Sequence, residues 1–307
     1  MLTDQKILVT GPAGQIAFPL AARLARDNEV WGIARFSEEG ARERCESAGI
    51  TTRVVDLAAP DYGSLPDDFT YVLHLAAFMG GGWDLDWTMR VNAEGTGLLL
   101  QHCRKAKAAL VMSTHSVYRP KEDPAHVYVE TDMLGEVNSS HAPTYSMSKL
   151  AQEGVTRTCA RMFNLPVTIA RMNASYGDNG GLPAYHIAAA VAGQPVVTRW
   201  DPCYYSPIHQ DDINEQTEAL LDAASVPATI VNWAGDEGVT VQEWTAYVGE
   251  LTGKPTTCEA VPQEGTLRGS IASHEKRASF TGPCKVGWKE GFRRTLDARH
   301  PGARTVD

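Results

Sequence analysis

Residues 7–17 read Ile7-Leu8-Val9-Thr10-Gly11-Pro12-Ala13-Gly14-Gln15-Ile16-Ala17. The apolar run at the start of this stretch ends at Gly11, which is typical of a buried parallel strand. Gly11 and Gly14 allow a tight turn, and the residues from Phe18 to Arg26 have the composition of a helix. A strand, a glycine turn and a helix in this order can hold a phosphate, because N–H groups at the helix N-terminus point at the anion. The stretch therefore predicts a phosphate-binding loop of a dinucleotide-binding fold.

The same alternation of strand and helix continues along the chain. Further strands are predicted at residues 30–34, 52–57, 71–77, 109–112 and 167–171. A helix that carries Asn92 is predicted from Trp87 to Ala108, and an amphipathic helix with a glycine cap from Val239 to Gly253. This pattern predicts an α/β protein with a doubly wound parallel sheet, a Rossmann fold, and a smaller C-terminal substrate lobe. We place the dinucleotide-binding domain at residues 1–173, with returning pieces near 208–235. The substrate-binding lobe is placed mainly at 174–307. His74 lies inside an apolar run, so we interpret it as a hydrogen-bonded core histidine.

Composition limits the classes of function. The chain has 307 residues, 43% of them hydrophobic and 21% charged, with a net charge of −9. This profile is that of a soluble globular protein, and the negative charge argues against nucleic-acid and anionic-membrane partners. The six cysteines are scattered without metal-binding spacing, so we expect free thiols, a reducing compartment and no metal. We see no signal peptide or membrane segment and expect a cytoplasmic protein.

The stretch from Tyr145 to Glu153 carries the strongest candidate for chemistry. It is predicted to be helical, and Pro143 just before it favours a helix start. Tyr145 and Lys149 are four residues apart and so share one helix face. A nearby ammonium lowers the pKa of a phenol and suits it to proton transfer. The alternative is a Tyr/Lys pair on a solvated face, because this spacing also arises by chance.

The ends of the predicted strands suggest cofactor contacts. NAD-preferring folds carry an acidic residue near the end of the second strand, where this chain has Ala34 and then Arg35. A guanidinium suits a 2′-phosphate, so NADP is favoured over NAD. Alternatively, Arg35 stacks on the adenine or faces solvent. Asp56 could accept a hydrogen bond from the adenine amino group, and the small Ala76 and Ala77 allow a ligand close to the backbone.

The motifs together resemble those of the extended short-chain dehydrogenase/reductase family, also called the NAD(P)-dependent epimerase/dehydratase family. The resemblance runs nearly end to end. Its motifs are Thr10-Gly11-x-x-Gly14-x-Ile16, Asp56-Leu57, His74-Leu75-Ala76-Ala77, Val91-Asn92-x-x-Gly95-Thr96, Ser113-Thr114-x-x-Val117-Tyr118, Tyr145-x-x-x-Lys149-Leu150-x-x-Glu153, Arg171 with Tyr176-Gly177, and His209-x-Asp211-Asp212.

The resemblance implies roles for individual residues. Tyr145 would exchange a proton with the substrate oxygen, Thr114 would hold that oxygen, and Lys149 would lower the pKa of Tyr145 and bind the nicotinamide ribose. The implied cofactor contacts are Gly11, Gly14, Gln15, Ile16, Arg35, Asp56, Leu57, Leu75, Ala76, Ala77, Asn92, Tyr145 and Lys149. The substrate contacts expected are Phe78, His115, Ser116 and Tyr205. The family also implies a homodimer formed through the helices that hold Asn92 and Tyr145.

Departures from the family pattern bear on the substrate. Dehydratases have two acidic residues after the catalytic threonine, where this chain has His115 and Ser116, so sugar dehydration is not expected. Nucleotide-sugar enzymes have an asparagine at the place of Ala174 and often an arginine at the place of Tyr205. Asn173 lies one residue too early to replace the first of these.

Three functions stay open. The leading hypothesis is an NAD(P)-dependent oxidoreductase that moves a hydride between nicotinamide and a secondary alcohol or ketone of a small polar or sugar-like substrate. The alternative is an epimerase of a sugar or nucleotide sugar that holds its NAD(P) tightly. The third is a non-catalytic dinucleotide-binding protein, against which the intact Thr114, Tyr145 and Lys149 count.

Overall fold

The computed structural model describes residues 2–80, 82–140 and 142–305, so Gly81 of the glycine-rich segment after Phe78 lies outside the described residues. The chain divides into two compact units. Unit 1 comprises the described residues of 1–117, 140–171 and 214–231, and unit 2 comprises those of 118–139, 172–213 and 232–307. The sequence places residues 118–139 in the first domain, whereas they pack within unit 2. The roles assigned to the two domains remain predictions.

The strands and helices are numbered in chain order. The strands are β1 (Lys6–Thr10), β2 (Glu29–Ala34), β3 (Thr51–Val54), β4 (Tyr71–His74), β5 (Ala108–Thr114), β6 (Val127–Tyr128), β7 (Val167–Met172), β8 (Ser175–Tyr176), β9 (Val196–Thr198), β10 (Tyr204–Tyr205), β11 (Ile208–His209), β12 (Thr229–Trp233), β13 (Val239–Thr240), β14 (Cys258–Ala260) and β15 (Ile271–Ala272). The α-helices are α1 (Ala17–Leu24), α2 (Ala41–Ser47), α3 (Leu85–Met89), α4 (Gly95–His102), α5 (Tyr145–Phe163), α6 (Leu182–Val191), α7 (Gln210–Asp222), α8 (Val241–Thr252), α9 (Glu275–Thr281) and α10 (Trp288–Arg299).

A seven-stranded sheet organises the dinucleotide-type fold. Its strand order is β12-β7-β5-β4-β1-β2-β3, and β1 pairs in parallel with both β2 and β4. The order runs outward in both directions from β1, as in a doubly wound sheet, and the strands are parallel, which confirms the predicted fold class. Thr10 pairs with Ile33 on one side and with His74 on the other. The carboxyl ends of three neighbouring strands therefore meet beside the glycine turn.

The core of unit 1 explains why its strands are continuous apolar runs. Leu8, Val72, Ala109, Val111 and Ile169 are fully buried in one cluster of this unit. Strands covered by helices on both faces have no solvent-facing side, so polar alternation is absent from their sequence. Burying each of the larger side chains contributes about 1.5–3 kcal/mol relative to leaving it exposed.

The helix predicted from Trp87 to Ala108 is wrong as a single helix. It consists of α3, a π-helical turn at Arg90–Glu94, and α4, which ends at His102. The π-helical turn carries Asn92, and π turns of this kind often occur at functional sites. Gly95 directly follows the π-helical turn, and a Cβ there would lie 2.4 Å from the carbonyl oxygen of Leu57. Only glycine allows this approach of helix and loop.

Unit 2 has its own aromatic core. The rings of Tyr176 and Phe292 lie 5.2 Å apart, and those of Trp244 and Phe292 lie 5.7 Å apart. Helix α8 starts with a capping box in which the Thr240 hydroxyl accepts from the Glu243 N–H at 3.0 Å. It ends at Gly253, whose φ is +64°, as the predicted glycine cap requires.

Two sequence-based expectations concern the whole chain. All six cysteines are free thiols, as predicted, and four of them are buried. Among the described residues, none of the helices combines the length and apolar character needed to cross a bilayer.

Candidate active site

The glycine turn after β1 has the shape that a phosphate-binding loop requires. Gly11 has a φ of +64°, and a Cβ there would lie 3.3 Å from the Cα and Cβ of Ala76. The Gly14 N–H donates to the Gly11 carbonyl at 2.8 Å, and Gln15 and Ile16 lead from this turn into α1. Because Gly11 and Ala76 are small, the backbone beside the start of α1 is accessible to a ligand. This arrangement fits a pyrophosphate group.

The residues after β4 are tied to the same loop. The N–H groups of Leu75 and Ala76 leave the strand ladder and donate to the hydroxyl of Thr10 at 3.0 and 2.9 Å. Ala76 is half-buried and Ala77 is exposed. This places the small residues predicted to flank the cofactor directly beside Gly11.

The adenosine side of the predicted site lies at the ends of β2 and β3. Arg35 is exposed directly after β2. Asp56 is half-buried, and one of its oxygens accepts the Ala58 N–H at 2.9 Å. Leu57 is buried, with its carbonyl facing Gly95. Asp56 therefore keeps a second oxygen that could meet an adenine.

Arg44 is a residue at this site that sequence reasoning missed. Its guanidinium donates to the Ala13 carbonyl of the glycine turn at 2.7 Å and lies 4.8 Å from the ring centroid of Phe18. The contact joins residues 31 positions apart, and no local pattern around Arg44 indicates it. Arg44 brings an exposed positive charge to the predicted phosphate loop.

Asn92 is held by the protein itself. Its amide donates to the Phe78 carbonyl and to the Ser148 hydroxyl, each at 2.9 Å, and its side-chain oxygen accepts the Phe78 N–H at 2.8 Å. Both amide N–H groups are thus used within unit 1. Asn92 therefore positions the segment at Phe78. Its predicted contact with a cofactor would have to use the second lone pair of its side-chain oxygen.

The catalytic candidates converge at the end of β5. Tyr145 is the first residue of α5, is half-buried, and hydrogen-bonds Thr114, the last residue of β5. Lys149, one turn further along α5, is buried, and its ammonium donates to the Met112 carbonyl at 2.7 Å. Thr114 and Tyr145 are therefore in contact, and Lys149 follows Tyr145 by one helical turn, as their spacing predicts. Their catalytic roles remain predictions.

Burial controls the protonation of this group. It raises the pKa of Tyr145 to about 12, partly opposed by the hydrogen bond with Thr114. It also lowers the pKa of Lys149 to about 7, partly opposed by the charge of Glu153. From the sequence, Lys149 is expected to lower the pKa of Tyr145. In the cofactor-free protein, burial instead raises this pKa. Tyr145 is thus a neutral phenol near pH 7, able to donate a proton.

A buried ion pair joins α5, the helix that carries Tyr145 and Lys149, to β7. Arg171 of β7 donates to both carboxylate oxygens of Glu153 at 2.8 and 2.9 Å, and the Ser113 hydroxyl donates to Glu153 at 2.6 Å. His115 is buried nearby, and burial together with the charge of Arg171 lowers its pKa to about 3. His115 is therefore neutral and cannot act as a cationic acid near pH 7.

The residues predicted to contact substrate fall in both units. Phe78, His115 and Ser116 belong to unit 1, where the Ser116 hydroxyl lies 3.0 Å from that of Thr114. Tyr205 belongs to unit 2, where its ring stacks on Trp244 at 5.8 Å between centroids. Each residue remains a predicted substrate contact.

The profile of the NAD dependent epimerase/dehydratase family matches residues 7–204. The chain belongs to this family. The resemblance stated from the motifs is thereby confirmed, and so is the expectation of an NAD(P)-dependent enzyme of the extended short-chain dehydrogenase type. Among curated proteins, no sequence matches the chain.

Solved structures of this fold include several sugar-nucleotide epimerases. UDP-glucuronic acid 4-epimerase from Bacillus cereus, in complex with UDP-glucuronic acid and NAD, is 22% identical with a TM-score of 0.82, covering 95% of this chain and 98% of its own. UDP-glucose 4-epimerase from Thermus thermophilus, in complex with NAD, is 25% identical with a TM-score of 0.79, covering 96% and 99%. UDP-N-acetylglucosamine 4-epimerase from Methanobrevibacter ruminantium is 20% identical with a TM-score of 0.81, covering 97% and 98%.

Proposed function

We propose that this family member is an NADP-dependent oxidoreductase that reduces the ketone of a small polar or sugar-like substrate, or oxidises the matching secondary alcohol. The observation that carries the proposal is the hydrogen bond between the Tyr145 phenol and Thr114 at the carboxyl end of β5. A phenol and a hydroxyl at this edge of a parallel sheet can together bind one carbonyl oxygen.

The chain's residues would divide the work as follows. Thr114 donates a hydrogen bond to the carbonyl oxygen and orients it, while Tyr145 delivers the proton that the oxygen needs as it becomes a hydroxyl. Lys149, with a pKa near 7, can return a proton toward Tyr145 after each turnover. Nicotinamide, when bound, supplies the hydride to the carbonyl carbon.

Unit 2 offers an argument against a nucleotide-sugar substrate. Asn173 donates to the Ser270 carbonyl at 2.7 Å, and its oxygen accepts the N–H groups of Ala174 and Ser206 at 2.8 and 3.1 Å. An asparagine committed to its own backbone neighbours does not replace the family asparagine that is missing at Ala174. This supports a substrate without a nucleotide diphosphate. Likewise, His115 and Ser116 stand where dehydratases have two acidic residues, which supports reduction rather than dehydration.

A second candidate function is epimerisation. The similar solved structures of sugar-nucleotide epimerases, each covering nearly the whole chain, favour it. The two candidates share the Tyr145 chemistry and differ in the hydride balance: a reductase passes a hydride from NADPH to the product, whereas an epimerase takes a hydride from the sugar and returns it. Net consumption of NADPH separates them.

The experiment is a panel of hydroxy ketones, ketoses and keto sugar acids, scored by loss of NADPH absorbance. UDP-glucose and UDP-glucuronic acid are scored in parallel by NMR for interconversion at C4. Stoichiometric NADPH oxidation with at least one carbonyl compound supports the proposal. Interconversion of a UDP-sugar with no net NADPH consumption would assign the epimerase function instead.

For the cofactor, we propose NADP because two arginines lie on its adenosine side. Arg35 is exposed at the end of β2, and Arg44 is anchored on the glycine turn. A guanidinium pair suits the 2′-phosphate. Each hydrogen bond to a charged group contributes about 1.5–3 kcal/mol, which is about tenfold or more in affinity. Fluorescence titration should show that Arg35→Ala and Arg44→Ala weaken NADPH more than NADH. Arg42→Ala is the matched control, because Arg42 lies on the same helix and pairs with Glu46. Equal losses for both cofactors in the Arg35 variant would contradict the assignment.

We also propose a homodimer formed through α4 and α5. These helices expose Leu98, Met147 and Met162, which are 46%, 42% and 70% accessible. Apolar side chains on neighbouring helices are suited to burial against a second copy. Light scattering should give twice the monomer mass, and Met162→Lys should reduce it. A monomer at all concentrations would contradict the proposal.

A further inference from the structure

His74 is fully buried at the end of β4 and is hydrogen-bonded through both ring nitrogens. Its Nδ1 lies 2.8 Å from the hydroxyl of Thr10, and its Nε2 lies 2.7 Å from the hydroxyl of Thr96. The sequence prediction of a satisfied core histidine is therefore confirmed. The partners, however, belong to elements that carry site residues: Thr10 precedes Gly11, and Thr96 lies on α4.

The surrounding bonds fix the direction of each proton. The Thr96 hydroxyl donates its one proton to the Asn92 carbonyl at 2.7 Å, so it can only accept from His74. The Thr10 hydroxyl already accepts the N–H groups of Leu75 and Ala76, so it can only donate to His74. Neutral imidazole satisfies both demands only with its proton on Nε2.

The network reaches the catalytic helix as well. The amide of Gln152, three residues after Lys149 on α5, donates to the Thr96 hydroxyl at 2.9 Å. Thr96 thus accepts from His74 and from Gln152 at once. Burial and the charge of Lys149 together lower the pKa of His74 to about 3, which keeps the ring neutral and preserves this pattern.

We propose that His74 is a positioning residue that sets the glycine turn, through Thr10, and the Lys149 helix, through Thr96, at the spacing the cofactor needs. The role rests on the proposed function only in its choice of cofactor. The two ends of the ring act on different parts of the dinucleotide: Thr10 on the phosphate side, and Thr96 on the nicotinamide ribose that Lys149 is expected to bind.

Two substitutions separate the ends. In His74→Asn the amide reaches only as far as Nδ1, so an acceptor for Thr10 is kept and the donor to Thr96 is lost. In His74→Gln the amide reaches the Nε2 position, so the donor to Thr96 is kept and the acceptor for Thr10 is lost. The probes are NADPH and 2′-phospho-ADP (adenosine 2′-phosphate 5′-diphosphate), which lacks nicotinamide and its ribose. Dissociation constants are measured by calorimetry.

We expect His74→Gln to weaken both probes about 5- to 10-fold, because the glycine turn is loosened. We expect His74→Asn to weaken NADPH by the same factor and to leave the affinity for 2′-phospho-ADP within about 2-fold. Thr168→Val is the matched control, because it removes a buried 2.6 Å hydrogen bond to the Leu220 carbonyl elsewhere in unit 1. It should leave both constants unchanged.

Identical effects of the two His74 variants on both probes, or none, would overturn the proposal. So would ¹⁵N NMR of the native protein that shows the proton on Nδ1 or a ring that titrates above pH 5. Should a His74 variant fail to fold, Thr96→Val, which keeps volume and removes the hydroxyl, must reproduce the pattern expected for His74→Asn. If the native protein binds neither probe, the proposed function fails, while the NMR result still decides the hydrogen-bond network.

Discussion

Replacing Glu153 by glutamine should destabilise the protein strongly. The substitution keeps the shape of the side chain and removes its charge from a pair in which the side chains of Arg171 and Glu153 are only 2% and 4% exposed. Arg171 donates to both oxygens of Glu153, so one of its N–H groups would then face an amide NH₂ group, which is also a donor. A buried guanidinium left without its counter-charge costs about 3–5 kcal/mol.

The assay is urea unfolding monitored by circular dichroism, with thermal melts in parallel. At about 2 °C per kcal/mol for a chain of this size, the loss corresponds to a drop in Tm of roughly 6–10 °C. Glu46→Gln is the control, because Glu46 pairs with Arg42 at a similar distance of 2.9 Å with both side chains nearly half exposed. That pair should contribute less than about 1 kcal/mol.

The double variant Glu153→Gln with Arg171→Met tests the cause of the loss. Removing both charges should recover much of the stability, because no uncompensated ion remains. The reasoning fails if Glu153→Gln costs no more than Glu46→Gln, or if the double variant loses the sum of the two single losses.

Two further predictions concern groups around the site. The pKa of Lys149 in the folded protein is about 7, below the ordinary value of 10.5, so the unfolded chain holds an extra proton between these values and stability rises with pH there. Lys149→Met should therefore stabilise the cofactor-free protein by up to about 5 kcal/mol near pH 6 and by little near pH 10.5. Urea unfolding measures both values, and the same gain at the two pH values would contradict this. Asn92→Ala removes three hydrogen bonds to Phe78 and Ser148, so hydrogen exchange at the Phe78 amide should become much faster. Unchanged protection of this amide would show that Asn92 does not fix the position of Phe78.

Sequence reasoning could predict the features that depend on local pattern. The strand, glycine turn and helix of residues 7–24 follow from an apolar run, two glycines and helix-forming residues in order. The spacing of Tyr145 and Lys149 placed both on one face of α5, and the position of Thr114 at a strand end brought it to the same edge of the sheet. Each of these inferences needs only neighbours a few residues apart.

Features set by distant contacts were out of reach. The π-helical turn at Arg90–Glu94 has nearly the same apolar spacing as an α-helix, so periodicity cannot reveal it. Arg44 contacts Ala13, which lies 31 positions earlier in the chain. His74 is hydrogen-bonded to Thr10, 64 positions earlier, and to Thr96, 22 positions later. The direction of the Tyr145 pKa shift depends on burial, which the Tyr/Lys spacing does not report.

The central claim is that the side chain of Tyr145 protonates a substrate oxygen while nicotinamide delivers a hydride. The most direct measurement follows deuterium from NADPH labelled at both C4 positions into the product of the best carbonyl substrate, for the native enzyme and for Tyr145→Phe. We predict deuterium on the new carbinol carbon with the native enzyme, and loss of nearly all product with Tyr145→Phe at unchanged NADPH affinity. Equal labelled product from both proteins would contradict the role of Tyr145, and unlabelled product would contradict hydride transfer.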